Sequence, residues 1–478
     1  MQIVSIEFLF FFICTLVIYY MVPAYFKCAV LLAASYLFYG SQNIWYLVFL
    51  AIATLLSYGS ALWMMHIQDN HKKVVFILSL VMNLSALGYF KYAGFLSGGR
   101  ISSLLLPVGI SFYLFMSCGY LADVYHGRII AEKNLLKYAL FVSFFPTILS
   151  GPIERAGNML PQFSTDSFRQ IRFDTSQIRD GFVRMLWGYF LKLVLADRIS
   201  ILVDTVYNSP ESYGGALILV TSVLYTFQIY CDFAGYSHIA IGIAKALGIR
   251  VMENFKCPYL AKSISDFWRR WHISLSSWFR DYVYIPLGGN RKGTVRKYIN
   301  IMVVFLLSGL WHGGGWTFIL WGGLHGIYQV IGAVLMPVRR KFADGLKLDE
   351  QSRSVRVVKV LVTFCLVSTA WILFRAENLE AVFRIGRQLL HPKMWELFDG
   401  TLYMLGLDRA NVLVMLGGLI LLVIVDLLNE RGVIISKCIA RERLWIRWPI
   451  YIAAVLFILI CGIWGAAYDT SSFIYYQF

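Results

Sequence analysis

Residues 265–293 read SDFWRRWHISLSSWFRDYVYIPLGGNRKG, and residues 306–328 read LLSGLWHGGGWTFILWGGLHGIY. Three of the eight histidines in this 478-residue chain, His272, His312 and His325, lie in these two stretches. Trp268, Trp271, Leu275, Trp278 and Tyr282 alternate at spacings of three and four. That period predicts a helix over 268–282 with one aromatic stripe, and with Arg269, His272, Ser276 and Arg280 on another face. Such a helix is too charged to cross a bilayer and too aromatic to stand in water. It is expected at the membrane interface or dipping into a polar cavity, carrying His272 with it.

Residues 316–335 are apolar throughout except Thr317, His325 and Gln329. An ionisable residue within a spanning helix is costly, which makes His325 a candidate functional residue. Gly322, Gly323 and Gly326 lie beside it, and their missing side chains leave room for a substrate or for another helix. The plainer alternative is a structural ring that donates to a backbone carbonyl. His312 precedes Gly313, Gly314 and Gly315, a run that predicts a tight turn and leaves its distance from His325 open.

The rest of the chain sets these stretches in a membrane. Hydrophobic residues make up 59% of it and the mean hydropathy is +0.65, well above soluble-domain usage. The expected fold is all-α, a polytopic integral membrane protein forming a single membrane domain over 1–478. Apolar stretches lie near 5–22, 26–40, 44–65, 74–95, 103–120, 181–200, 214–231, 298–311, 315–336, 357–374, 411–428 and 448–466. A crossing needs about 20 apolar residues, so 26–40 and 298–311 are short, and 11 or 12 spans are expected. Two shorter apolar runs, 138–152 and 236–248, are edged by Gly or Pro and read as re-entrant segments. The first apolar stretch lacks a basic leader and is expected to stay as a membrane helix. Residues 375–410 are mixed in charge and read as a small extramembrane cap.

The formal charge of +16 is not spread as a nucleic-acid binder's would be, and no nucleic-acid motif occurs. Residues 249–297 carry ten Lys and Arg against Glu253, Asp266 and Asp281, and residues 337–359 carry seven against Asp344, Asp349 and Glu350. Positive charge gathered between apolar runs places both segments in the cytoplasm, against anionic lipid headgroups, and puts the acidic Val203 to Gly215 loop outside. The eight cysteines include no CxxC pair and read as small buried hydrophobes, which argues against a zinc site or a disulfide framework. There is no GxSxG, Walker A or HExxH motif, so catalysis is expected without a metal.

The runs FWRRWHISLSSWFRDYVYIPLGGNR and GLWHGGGWTFILWGGLHG resemble the signature region of the membrane-bound O-acyltransferases, in particular the bacterial branch typified by the alginate O-acetylation protein. LPVGISFY at 106–113, SGPIER at 150–155 and QIYCDFAGYSHIAIGIAKALG at 228–248 extend the resemblance. It covers a core over about 1–340, followed by C-terminal helices over 341–478. The chain departs from the family at His238, where an acidic residue is usual, which puts the polar network there in question. Arg155 and Asp232, charges beside apolar runs, are expected to be structurally paired.

The resemblance implies an O-acyltransferase, most simply an O-acetyltransferase, in a bacterial cell membrane. His325 would be the general base and His272 a group that positions substrate or polarises the acyl carbonyl. The candidate substrate-binding residues are His312, Trp271, Ser276, Arg269 and Arg280, although basic side chains at such positions also serve as headgroup anchors. No bound cofactor is implied. The donor would be acetyl-CoA or another thioester from the cytoplasm, and the acceptor a polysaccharide or a secreted acetyltransferase partner. A D-alanyl transferase for teichoic acid is the alternative within the family. Outside it, the alternative is a lipid or acyl-carrier transporter with His325 as a proton relay.

Overall fold

The computed structural model describes residues 1–97, 107–347, 349–350 and 352–464. No β-strand occurs among them, and the chain is a succession of helices. Eight helices among the described residues are long and apolar enough to cross a membrane: Ile44–His66, Asp69–Leu96, Gly215–Ala246, Thr294–His312, Trp316–Val334, Arg353–Arg375, Arg409–Glu430 and Leu444–Cys461. Ile6–Met21 and Ala24–Gly40 are shorter apolar helices. The protein is therefore a multi-pass membrane protein.

Most of these helices turn a wide apolar face outward, as expected where lipid rather than protein is the neighbour. Gly215–Ala246 is different. Its most apolar window is 78% buried, against 39% or less in the other seven, so it is an interior helix. It also runs unbroken through residues 236–246, where a separate re-entrant segment over 236–248 was expected. Gly242 does not break it, because the missing Cβ is used for packing: one built there would lie 2.6 Å from the Gly181 carbonyl oxygen.

Two other expectations change in detail. The stretch at 181–200 is not one regular helix. Thr175–Tyr189 passes through a π-helical segment at Phe190–Ala196 into Asp197–Asn208. Of the stretch at 103–120, residues 103–106 lie outside the described residues, and from Ile110 onward it belongs to the buried helix Ile110–Tyr125. The run at 138–152 does break: Leu135–Ser143 is helical, and the backbone then turns irregularly within a fully buried setting.

The chain divides into two compact units, residues 1–188 with 236–253, and residues 189–235 with 254 onward. In the first unit Arg184 forms an ion pair with Glu253 and donates through Nε to His238 Nδ1 at 3.3 Å. A polar network thus exists at His238 despite its departure from the family. In the second unit Lys192 holds two carboxylates, Asp197 at 2.7 Å and Asp232 at 2.6 Å, all three side chains being buried. Burial of a lone charge in this setting would be prohibitive, and the pairing expected for Asp232 is what offsets it.

The cap at 375–410 also belongs to the second unit. It consists of helix Leu379–Leu389 and two 3₁₀ turns. The partner for the cap, left open by the sequence, is the start of the interior helix. Gly215 and Ala216 donate to His391 and Pro392 carbonyls at 2.8 Å each, and Gly214 donates to Glu396 Oε2 at 2.6 Å. Arg384 reaches Glu211 at 3.1 Å. The cap therefore satisfies N–H groups that would otherwise be orphaned at the first turn of Gly215–Ala246.

Candidate active site

All three histidines lie in the second unit. His272 and His325 have no solvent exposure and His312 has 2%. The predicted continuous helix over 268–282 does not form. Ile264–Arg270 ends before Trp271, His272 adopts a left-handed backbone at φ 42°, and Ile273–Phe279 begins afresh before a π-helical turn at Arg280–Tyr284. Arg269, His272, Ser276 and Arg280 consequently do not share a helix face. Arg269 and Arg280 are exposed, Arg280 pairing with Asp281 at 2.8 Å, while His272 is turned inward. Ser276 donates to the Trp271 carbonyl at 3.2 Å and caps the local turn.

The inward turn places His272 against Phe233, at 4.5 Å between ring centroids, and Trp311, at 5.8 Å. Its Nδ1 is 3.2 Å from Asn254 Oδ1. The same oxygen accepts from the backbone N–H of Ser274 at 3.3 Å and from its hydroxyl at 2.8 Å. Burial without a compensating charge pushes the imidazole down, to about 3, so the ring is neutral at physiological pH.

His325 sits on the uninterrupted helix Trp316–Val334. Trp268, Trp321, Tyr328, Phe267, Phe305 and Trp371 surround it, with centroids between 5.1 Å and 6.4 Å away. The Trp268 indole N–H donates to His325 Nδ1 at 3.3 Å. An indole can only donate, so Nδ1 presents its lone pair and the neutral ring carries its proton on Nε2. That Nε2 is buried, with no hydrogen-bond partner among the described residues.

The glycines beside His325 accommodate the neighbouring helix. A Cβ on Gly322 would come within 2.2 Å of the Phe305 carbonyl oxygen, and one on Gly326 within 2.7 Å of Met302 Sδ. Gly309 reciprocates from the facing helix, where a Cβ would meet the Phe318 oxygen at 2.3 Å. Small residues on both partners let Thr294–His312 and Trp316–Val334 approach closely. The glycine cluster therefore explains helix packing and does not single out His325 as a substrate contact.

His312 ends the helix Thr294–His312 and packs on Trp321 at 5.0 Å and Phe374 at 5.3 Å. Trp321 in turn lies 5.1 Å from His325, and Trp311 links His312 to His272. One aromatic cluster thus joins the three histidines. Trp271, 1% exposed, belongs to it through Trp371 at 5.1 Å. Among the described residues no three His, Cys, Asp or Glu side chains group as a metal site would require.

The segment carrying His272 is tethered by residues with no obvious signal in the sequence. Arg270 reaches Asp266 at 3.0 Å and Glu430 at 2.6 Å, and the Tyr230 hydroxyl donates to Asp426 at 3.2 Å. Asp426 and Glu430 lie one helical turn apart on Arg409–Glu430, so a single C-terminal helix fixes both the broken segment and the interior helix.

These features define an integral membrane protein whose buried, ring-lined histidines offer both a proton acceptor and a proton donor away from water. The sequence matches the membrane-bound O-acyltransferase family over residues 32–373. The chain belongs to that family and is an acyltransferase. It is 37% identical over 397 residues to the probable alginate O-acetylase AlgI of Azotobacter vinelandii, covering 80% of this chain and 76% of that protein. It is 36% identical over 389 residues to the peptidoglycan O-acetyltransferase of Helicobacter pylori, covering 74% and 72%. Identity to the teichoic acid D-alanyltransferase of Streptococcus thermophilus is 31% over 302 residues, or 57% of this chain and 69% of that protein.

Proposed function

We propose that this chain is an O-acetyltransferase of a bacterial plasma membrane. It takes an acetyl group from a cytoplasmic thioester of the acetyl-CoA class and delivers it to a hydroxyl of an extracellular or cell-wall polysaccharide, directly or through a secreted acetyltransferase partner. The longer matches, to proteins named for O-acetyl transfer, support acetyl over D-alanyl.

The observation that carries the site reading is the opposite kind of partner at Nδ1 of two fully buried imidazoles, an amide oxygen at His272 and an indole N–H at His325. His272 faces Asn254 through Nδ1 and offers Nε2 as the base, whereas His325 faces Trp268 through Nδ1 and offers an Nε2–H. The hydrogen bonds favour this division of labour over the one first expected, with His325 as base. In the proposed step His272 Nε2 accepts the hydroxyl proton as the oxygen attacks the acyl carbonyl, and the oxyanion accepts from an N–H donor such as His325 Nε2. Collapse expels the thiolate, which takes the proton back from His272, leaving an ester and a free thiol.

The test is the saponifiable acetyl content of the surface polymer in cells carrying His272→Ala. Loss of the ester, with a protein that still inserts and melts like wild type in detergent, supports the reading. Wild-type ester content ends it. Incorporation of labelled D-alanine in place of acetate would move the chain to the teichoic acid branch.

A further inference from the structure

We infer that Asn254 is a positioning residue that fixes the proton of His272 on Nδ1 and thereby leaves Nε2 as the basic nitrogen. The inference rests on the reading of His272 as the base.

Asn254 has no solvent exposure and lies 18 residues before His272. Both of its oxygens hold the start of the Ile273–Phe279 helix. The backbone oxygen accepts from Ile273 N–H at 3.0 Å, and Oδ1 accepts from Ser274 N–H at 3.3 Å and Ser274 Oγ at 2.8 Å. A backbone N–H can only donate, so the amide atom facing Ser274 is the oxygen and the orientation of the amide is fixed. That oxygen also faces His272 Nδ1 at 3.2 Å. An oxygen and a bare ring nitrogen would oppose two lone pairs, so Nδ1 must carry the hydrogen. In a neutral ring the lone pair is then on Nε2.

The backbone is shaped to allow this contact. His272 holds the left-handed conformation at φ 42°, a region that is unfavourable for a non-glycine residue. The turn is closed by Ser276 N–H donating to the His272 carbonyl at 2.9 Å, and Lys256 N–H donates to the Arg270 carbonyl at 2.9 Å on the other side of it. Residues 254–256 thus lie alongside the break as a strap, and without the break one residue could not serve Ile273 through its backbone oxygen and Ser274 and the His272 ring through its side chain. Phe233, Trp311 and Asn254, which face the ring, carry no charge, so the amide is the polar contact among them that distinguishes the two ring nitrogens.

The test uses full-length protein in nanodiscs, with ¹⁵N-labelled histidine and His272→Gln to assign the resonance. Wild type and Asn254→Asp, which keeps the acceptor, should show the Nδ1–H form at His272. Asn254→Leu should show the Nε2–H form or a mixture. With acetyl-CoA as the probe donor in membrane vesicles, Asn254→Leu should lose about 10²-fold in kcat with KM little changed, on the scale of a general base's contribution. Asn254→Asp should restore turnover and raise the ring's affinity for protons, so that activity falls as pH drops through the raised value. Ser274→Ala, which removes one donor to the same oxygen and leaves the His272 contact, should keep most of the wild-type kcat. An Nε2–H form in wild type, or an unchanged Nδ1–H form with full turnover in Asn254→Leu, overturns the inference. If the resonances behave as stated but His272→Gln turns over normally, Asn254 still sets the tautomer and only the base reading falls.

Discussion

His272 and His325 are equally buried, but the segments that bury them differ in kind. His325 occupies the middle of a regular helix, about 14 Å along it from Trp316, and its surroundings follow from helix packing: rings on one side and a glycine-lined crossing on the other. His272 occupies a break between two seven-residue helices and is held by a residue 18 positions upstream, while its segment is tethered through Arg270 to Glu430 on a C-terminal helix. A regular helix buries a side chain at no backbone cost. The broken segment spends left-handed backbone and a dedicated strap to orient one ring, which is the pattern expected where orientation itself matters.

The sharpest way to break this comparison is to put glutamine at each position. A glutamine amide can donate a hydrogen bond but cannot accept a proton near neutral pH. With His272 as base, His272→Gln is expected to lose about 10²- to 10⁴-fold in kcat, whereas His325→Gln keeps a donor and loses about tenfold or less. Steady-state rates in vesicles check both. A larger loss at His325 would restore the division of labour first read from the sequence.

Much of the membrane architecture was legible because spanning length and apolar composition are local properties, and eight long apolar helices lie where apolar runs are found. The break at His272 was not. Its aromatic residues recur at three and four like those of a helix, and no Gly or Pro marks the interruption. What breaks it is a set of hydrogen bonds to Asn254, an unremarkable loop residue whose importance depends on a contact across 18 residues. The glycines near His325 carried the converse ambiguity. From sequence they allowed either a substrate or a helix, and the facing backbone, whose Phe305 oxygen would lie 2.2 Å from a Cβ on Gly322, decides for the helix. Residues 236–248 were misjudged for a related reason, since Gly242 marks a close crossing with Gly181 rather than an end.

The packing half of the comparison can be sharpened within one helix. Gly322→Ala would drive a methyl into the facing backbone and is expected to cost about 1–3 kcal/mol, read as a lower melting temperature in detergent. A Cβ on Gly332, in the same helix, meets nothing within 4 Å, so Gly332→Ala should melt at or slightly above wild type. Equal melting of the two variants would show that the Thr294–His312 and Trp316–Val334 pair yields easily, and with it the rigid setting of His325.

The smallest expected effects concern the basic residues of the broken segment. Because the helix breaks at His272, Arg269 and Arg280 belong to different short helices, and their surroundings differ too. Arg280 is 63% exposed in its side chain and paired with Asp281, an arrangement worth about 0–1 kcal/mol. Arg269 is exposed and has no ion-pair partner among the described residues, so its charge is available to a phosphate-bearing donor or to a lipid headgroup. Arg280→Ala should leave melting and KM nearly unchanged. Arg269→Ala should raise KM for acetyl-CoA by about fivefold at most, an effect that fades at high salt because exposed charges are screened. Measuring KM at low and high ionic strength separates the two roles. A salt-sensitive rise confined to Arg269 marks it as a donor contact, and an unchanged KM in both variants leaves the pair as anchors at the headgroups.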